Sequence, residues 1–201
     1  MCSLVFLAGA VGGGSANDVV DQLVVKGRAP KTGYSRAQFG AAWADVDRNG
    51  CDTRNDILNR DLLAREWRPG THHCVVVGGL LHDPYTGRAL VFAKARAAAV
   101  QIDHVVALSD AWQKGAASWD AARRRAFAND PLNLLAVDGP TNERKGDGDA
   151  ATWLPPLKSY RCQFVARQIA VKTKWHVSVT AAERDAMKRV LARCPDQPLP
   201  V

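Results

Sequence analysis

The sequence contains no apolar stretch approaching the ~20 residues that a membrane-crossing helix needs, so a soluble mature chain, with no membrane partner, is expected. It lacks any CxxC or HxxxH spacing, which disfavours a zinc site on the consecutive His72, His73 and Cys74. A GxSxG elbow is also missing, which argues against a Ser-His-Asp hydrolase. No internal repeat or low-complexity tract occurs. With 201 residues, 47% of them hydrophobic, one domain with a single good core is the expectation. Acidic charge is in deficit: 27 Lys and Arg stand against 20 Asp and Glu, a net +7. That excess favours polyanionic partners such as nucleic acid, although many proteins are mildly basic for other reasons.

The chain opens with an apolar run from Cys2 to Val11, followed by small residues that include Gly14 and Ala16. A basic segment ahead of the run is missing. The run is too short to span a bilayer and reads as an export signal over residues 1–16, a buried N-terminal strand or helix being the other reading. The domain is then expected over 17–195 and a loose tail over 196–201, in a secreted monomer. Loss of the signal removes Cys2 and leaves Cys51, Cys74, Cys162 and Cys194, which allow three disulfide pairings. Pairing Cys51 with Cys74 and Cys162 with Cys194 is favoured because each closes a local loop, the second contributing roughly 3 to 4 kcal/mol through chain entropy.

Hydrophobic spacing predicts a short amphipathic helix over 17–29 and helical pieces over 35–43 and 55–65. The period then changes. "CVVVGGLLHD" and "RALVFA" read as strands joined by the turn "DPYTG", with Gly87 suited to a positive φ. "AVQIDHVVAL" reads as a further strand, 109–129 as basic helix, "PLNLLAV" as a short strand, and "GPTNERKGDGDAATW" as the start of a helix. "YRCQFVARQIAV" is helical. In the last helix Thr180 and Glu183 fit a capping box ahead of Met187, Val190, Leu191 and Cys194 on one face. The expected class is α+β, a small antiparallel sheet with helices.

One turn, "DVDRNGCDTRND", sets Asp45, Asp47 and Asn49 at alternate positions before Gly50, with Asp56 at the twelfth. The spacing nearly matches a calcium loop, except that Asp replaces the closing Glu. Asp, Asn and Gly also favour tight turns for local reasons, so a rigid structural turn is the first explanation, with a structural Ca²⁺ site as the alternative.

Between Ile102 and Gly148 the order is "DH" at a strand end, "LNLL" opening a second strand, and "TNERKGD" at the head of a helix. Asp103, His104, Asn133 and Asn142 here resemble the HNH, or ββα-metal, endonuclease motif. The wording around them, "GYSRAQFG", "DVDRNGCDTRNDIL", "DHVVALSDAW", "FANDPLNLLAV" and "WLPPLKSYRC", is closer still to the DUF1524 branch. The resemblance runs from about Gly33 to Cys194. It implies a ββα-metal motif and hydrolysis of DNA, with RNA as a second substrate, using one Mg²⁺ or Mn²⁺. Asp103 and Asn142 would hold the cation with oxygen donors and leave positions for water and substrate. His104 would activate water, and Asn133 would orient His104 or pin the loop between the strands. Neighbouring side chains of a regular strand point to opposite faces, so the chain is expected to leave strand geometry at Asp103 and His104. Arg144, Lys145 and, should the acidic turn lie alongside, Arg54 are the expected phosphate contacts. Glu143 departs from the basic residue common at its position. Arg123, Arg124 and Arg125 read as a solvated helix face, and Trp112, Trp119 and Trp153 as core. The rival reading is a non-catalytic extracellular module that binds nucleic acid or is stabilised by calcium.

Overall fold

The computed structural model describes residues 14–200, so most of the expected export signal lies outside the described residues. Ser15 and Asp18 form a capping box on α1 (Ala16–Val20). A 3-10 turn (Arg36–Phe39) and the acidic turn follow, and Asp52 caps α2 (Thr53–Asp61). Next come β1 (Leu62–Trp67), β2 (Val76–His82) and β3 (Ala89–Ala93), paired antiparallel in that order. A second antiparallel pair, β4 (Val100–His104) and β5 (Leu134–Asp138), brackets α3 (Leu108–Gln113) and α4 (Ala121–Ala128). The chain ends with α5 (Gly139–Lys145), α6 (Arg161–Trp175) and α7 (Ala181–Leu191). The class is therefore α+β, as expected. Among the described residues no helix is long and apolar enough to cross a membrane.

The β4–β5 ribbon is the centre of the fold. Val100, Ile102, Leu134 and Ala136 pack on one side against Ile57, Leu58, Leu62 and Phe92. Leu135 and Val137 pack on the other against Phe164, Val165 and Ile169 of α6 and Met187 of α7. A ribbon covered on both faces explains why "LLAV" reads as a continuous apolar run rather than an alternation. α5 follows β5 without a loop and packs back on the ribbon; a Cβ at Gly139 would lie 2.0 Å from the Ala98 carbonyl oxygen, so only glycine permits this junction. The β2–β3 turn also docks here: Gly87 takes φ +75°, and Asp83 Oδ1 accepts from the Asp138 amide at 3.0 Å.

Several expectations are corrected. The helix expected over 17–29 stops at Val20, because Val25 bridges in parallel to Val179 instead. That over 35–43 is one 3-10 turn ended by Gly40 at φ +84°. That over 55–65 breaks at Asp61, where Leu62 and Leu63 pair with Leu81 and Leu80 as β1. Residues on either side of the expected 17–195 span also make contacts. Ala16 is buried and its amide bonds to the Gln197 carbonyl, Ser15 bridges to Pro198, and Leu199 packs on the core, so the residues expected to form a loose tail are docked as far as they are described. Both disulfides, Cys51–Cys74 and Cys162–Cys194, are present. Cys74 is thereby removed from any zinc site.

Candidate active site

Strand geometry persists through the "DH" pair: Asp103 faces Leu135 and His104 faces Leu134 in unbroken register. The expected departure from the strand comes one residue later. The Val105 amide donates to the Asn133 carbonyl at 2.8 Å, and the Asn133 side chain brackets Val106, accepting from its amide at 2.8 Å and donating to its carbonyl at 3.2 Å. Asn133 is wholly buried. It pins the chain leaving β4 and makes no hydrogen bond to His104.

Asp103 and His104 therefore point to opposite sides, and both reach a polar cavity of about 190 Å³ that opens at the end of β4. Its wall also includes Tyr34, Arg36, Asn142 and Asp147. His104 is buried, with its Nε2 2.8 Å from the Ala128 carbonyl oxygen. A carbonyl only accepts, so Nε2 carries the proton and Nδ1 keeps a lone pair. Burial lowers the ring's pKa to about 3, against the opposing pull of the Ala128 bond, so the imidazole is neutral at physiological pH. The indole of Trp43 lies parallel to it, with centroids 6.0 Å apart and planes at 10°.

On the other side, Asp103 accepts from the Tyr85 hydroxyl at 2.5 Å and from Lys145 Nζ at 2.8 Å. Burial raises its carboxyl's pKa, opposed first by the Lys145 charge. Lys145, expected at a phosphate, has its Nζ buried between Asp103 and the His104 carbonyl, where it balances the Asp103 charge. Arg144 is exposed and donates to Thr141 Oγ1 at 2.8 Å. Asn142 donates through Nδ2 to Gln101 Oε1 at 2.9 Å, which leaves its Oδ1 as the free acceptor. Gln101 in turn donates to Glu143 Oε1 at 2.9 Å, so Glu143 orients a neighbour rather than facing the cavity.

The acidic turn closes on itself. Asp45 accepts from the Asn49 and Gly50 amides, and the Asn49 side chain donates to Asp47 and Asp56. An amide nitrogen thus sits between carboxylates where a cation would need oxygens. Among the described residues no three His, Cys, Asp or Glu side chains gather as a metal site. Arg54 does not reach the cavity; its guanidinium lies 6.0 Å from the Phe92 ring centroid, and burial lowers its pKa. Arg124 packs over Trp112 and Arg123 over Trp119, so two of the three arginines cover aromatic faces.

Sequence reading missed four residues of the site. Arg36 and Trp43 lie in or just after "GYSRAQFG", Tyr85 was hidden in a turn signal, and Gln101 in a strand. The tie of Arg36 to "GYSRAQFG" was the only available pointer.

A family model described as "GmrSD restriction endonucleases, C-terminal domain" matches residues 52–190. The chain is also similar to an "Uncharacterized secreted protein" of Arthroderma benhamiae, 37% identical over 187 residues that cover 90% of this chain and 85% of that one. No solved structure matches. The matched span holds both sheets, both disulfides' inner cysteines and the whole cavity end of β4 and α5, and the chain belongs to the family of nuclease-related domains typified by the C-terminal domain of GmrSD restriction endonucleases.

Proposed function

We propose that this protein is a secreted endonuclease that uses a divalent metal to hydrolyse phosphodiester bonds of DNA, and of RNA, with little sequence preference. The observation that carries the reading is His104: a neutral imidazole with its Nε2 proton committed to Ala128 and its Nδ1 lone pair free, at a cavity shared with Asp103 and Asn142. The neutral tautomer with an unengaged nitrogen is what supports assigning His104 as the group that accepts a proton from water. Export is supported by the two disulfides, by the start of the chain and by the name of the fungal relative.

The donor set fits Mg²⁺ or Mn²⁺. Asp103 and Asn142 Oδ1 are oxygen donors on one cavity, and each Asp103 oxygen accepts one bond and retains a lone pair. When bound, the cation supplies Lewis-acid neutralisation of the charge developing on the phosphate and the leaving oxygen. The chain's own residues do the rest. Nδ1 of His104 takes the proton of the attacking water, Asn133 holds the chain leaving β4 just beyond His104, and Arg36 on the cavity wall attracts the phosphate. Lys145 and Tyr85 keep the Asp103 carboxylate in one orientation.

Nicking of supercoiled plasmid in Mg²⁺, with an EDTA control, tests this directly. His104→Ala, shown to be folded by its circular dichroism, should lose activity by about 100-fold or more. Undiminished nicking would remove the assigned base, and plasmid left intact by the wild type at every metal and pH would make the protein a binding module.

A further inference from the structure

His104 separates two cavities. Behind the polar one lies an apolar cleft of about 230 Å³, walled by Phe39, Trp43, Leu108 and the small residues Ala37, Ala41 and Ala42. Arg36, His104 and Leu108 line both. We infer that this cleft is a base-binding site: it takes one unstacked nucleobase from the nucleotide beside the scissile phosphate, so that the protein prefers single-stranded or locally opened nucleic acid.

The chemistry of the walls selects the occupant. The occupant this wall favours is flat and apolar on its faces and joined to an anion, because Arg36 lines both the cleft and the adjoining polar cavity. A nucleotide meets both demands. Asn129 is the one amide side chain on the wall, and both its ends are engaged, Oδ1 by the Ala44 amide at 3.1 Å and Nδ2 by the Arg125 carbonyl at 2.8 Å. The cleft thus offers mainly ring and aliphatic surface, with Arg36 and His104 where it shares a wall with the polar cavity, which favours stacking with little discrimination among bases. Trp43 provides the surface at a cost in backbone strain: it holds φ +58°, a left-handed conformation unusual for a bulky residue. Its position is fixed from behind, where the Ala44 carbonyl accepts from Thr53 Oγ1 at 2.5 Å and the Ala44 amide is held by Asn129. A base within a duplex cannot enter without leaving its stack, which is the origin of the strand preference.

The inference rests on the phosphodiesterase reading for the role of its neighbour, but its test is separate. Affinity is measured in EDTA, where no hydrolysis proceeds, for a thymidine pentanucleotide and for a pentamer of abasic tetrahydrofuran residues with the same phosphates. Wild type should bind the thymidine strand about tenfold tighter. Ala41→Leu and Ala42→Leu, both at exposed positions that tolerate the larger side chain, fill the cleft and should bring the ratio towards one while leaving the abasic affinity unchanged. A wild-type ratio near one, or a ratio undiminished in both variants, overturns the base site. Plasmid nicking by wild type decides the nuclease reading independently, so a nicking enzyme with no base preference and a base binder that does not nick are distinguishable.

Discussion

At the scale of single residues, the site depends on side chains that never meet the substrate. Asn142 presents oxygen rather than nitrogen to the cavity because Gln101 accepts from its Nδ2, and Gln101 offers its own oxygen because Glu143 accepts from its Nε2. Replacing Gln101 by Leu frees the Asn142 amide to turn. Loss of such an orienting partner typically lowers metal affinity about 10- to 100-fold. Titration of Mn²⁺ by electron paramagnetic resonance should show that weakening in Gln101→Leu, and the Mg²⁺ concentration for half-maximal nicking should rise in parallel; unchanged Mn²⁺ affinity would dissociate Gln101 from the site. Asp103, His104, Asn133 and Asn142 were singled out in the sequence by the resemblance of the segments around them to a known family, and three of them, Asp103, His104 and Asn142, line one cavity. Gln101, Tyr85 and Arg36 were not. Gln101 and Tyr85 act through hydrogen bonds that cross 41 and 18 positions of chain, and Arg36 through a cavity wall it shares with Asp103 and His104; no local pattern encodes such proximity.

At the scale of elements, α3 and α7 are joined by charge. Lys114 Nζ is buried within 2.6 Å of Asp110 and Glu183 and 2.9 Å of Asp149, while Lys172 pairs with Asp110 and Glu183. Arg28 closes the group onto Asp110 and Asp149. This explains why only half of the expected capping box forms: Thr180 Oγ1 accepts from the Glu183 amide, but the Glu183 carboxylate turns inward to the two lysines. The sequence showed each charge and hid the cluster, because its members come from five separate segments. Burial alone would raise the Asp149 pKa, but the hydrogen bond and charge of Lys114, with the charge of Arg28, hold it below the usual carboxylate range. As pH falls, the unfolded chain therefore takes up this proton first. The stability Asp149 contributes is complete above the ordinary carboxylate pKa of about 3.9 and is lost as pH drops through the lower folded value. Asp149→Asn should cost about 3 kcal/mol at pH 7, by breaking a buried pair, and should flatten the acid limb. Melting temperatures from pH 7 to pH 3 would reveal this, whereas parallel curves for variant and wild type would show that Asp149 does not titrate with unfolding.

At the scale of the whole molecule, the first and last described segments hold each other. Cys194 follows α7 and is bonded to Cys162 near the start of α6; Gln197 then accepts from the Ala16 amide, Ser15 bridges to Pro198, and Lys188 pairs with Asp21. The disulfide therefore anchors the C-terminal segment, and that segment anchors α1. Cys162 and Cys194 are 32 residues apart in sequence, and closing such a loop contributes roughly 3 to 4 kcal/mol in the chain-entropy account. For a chain of this size, removing both cysteines should lower the melting temperature by about 6 to 16 °C. Chain entropy alone would spread that loss over the whole fold. The anchoring argument makes a narrower demand: in the Cys162→Ala, Cys194→Ala double variant, hydrogen exchange should accelerate first at the Ala16 and Val20 amides, while the β4–β5 amides, fixed by packing on both faces of the ribbon, lag behind. Uniform acceleration across both regions would show that the bond acts only on the unfolded chain and that the segments around Ala16 and Gln197 dock without it.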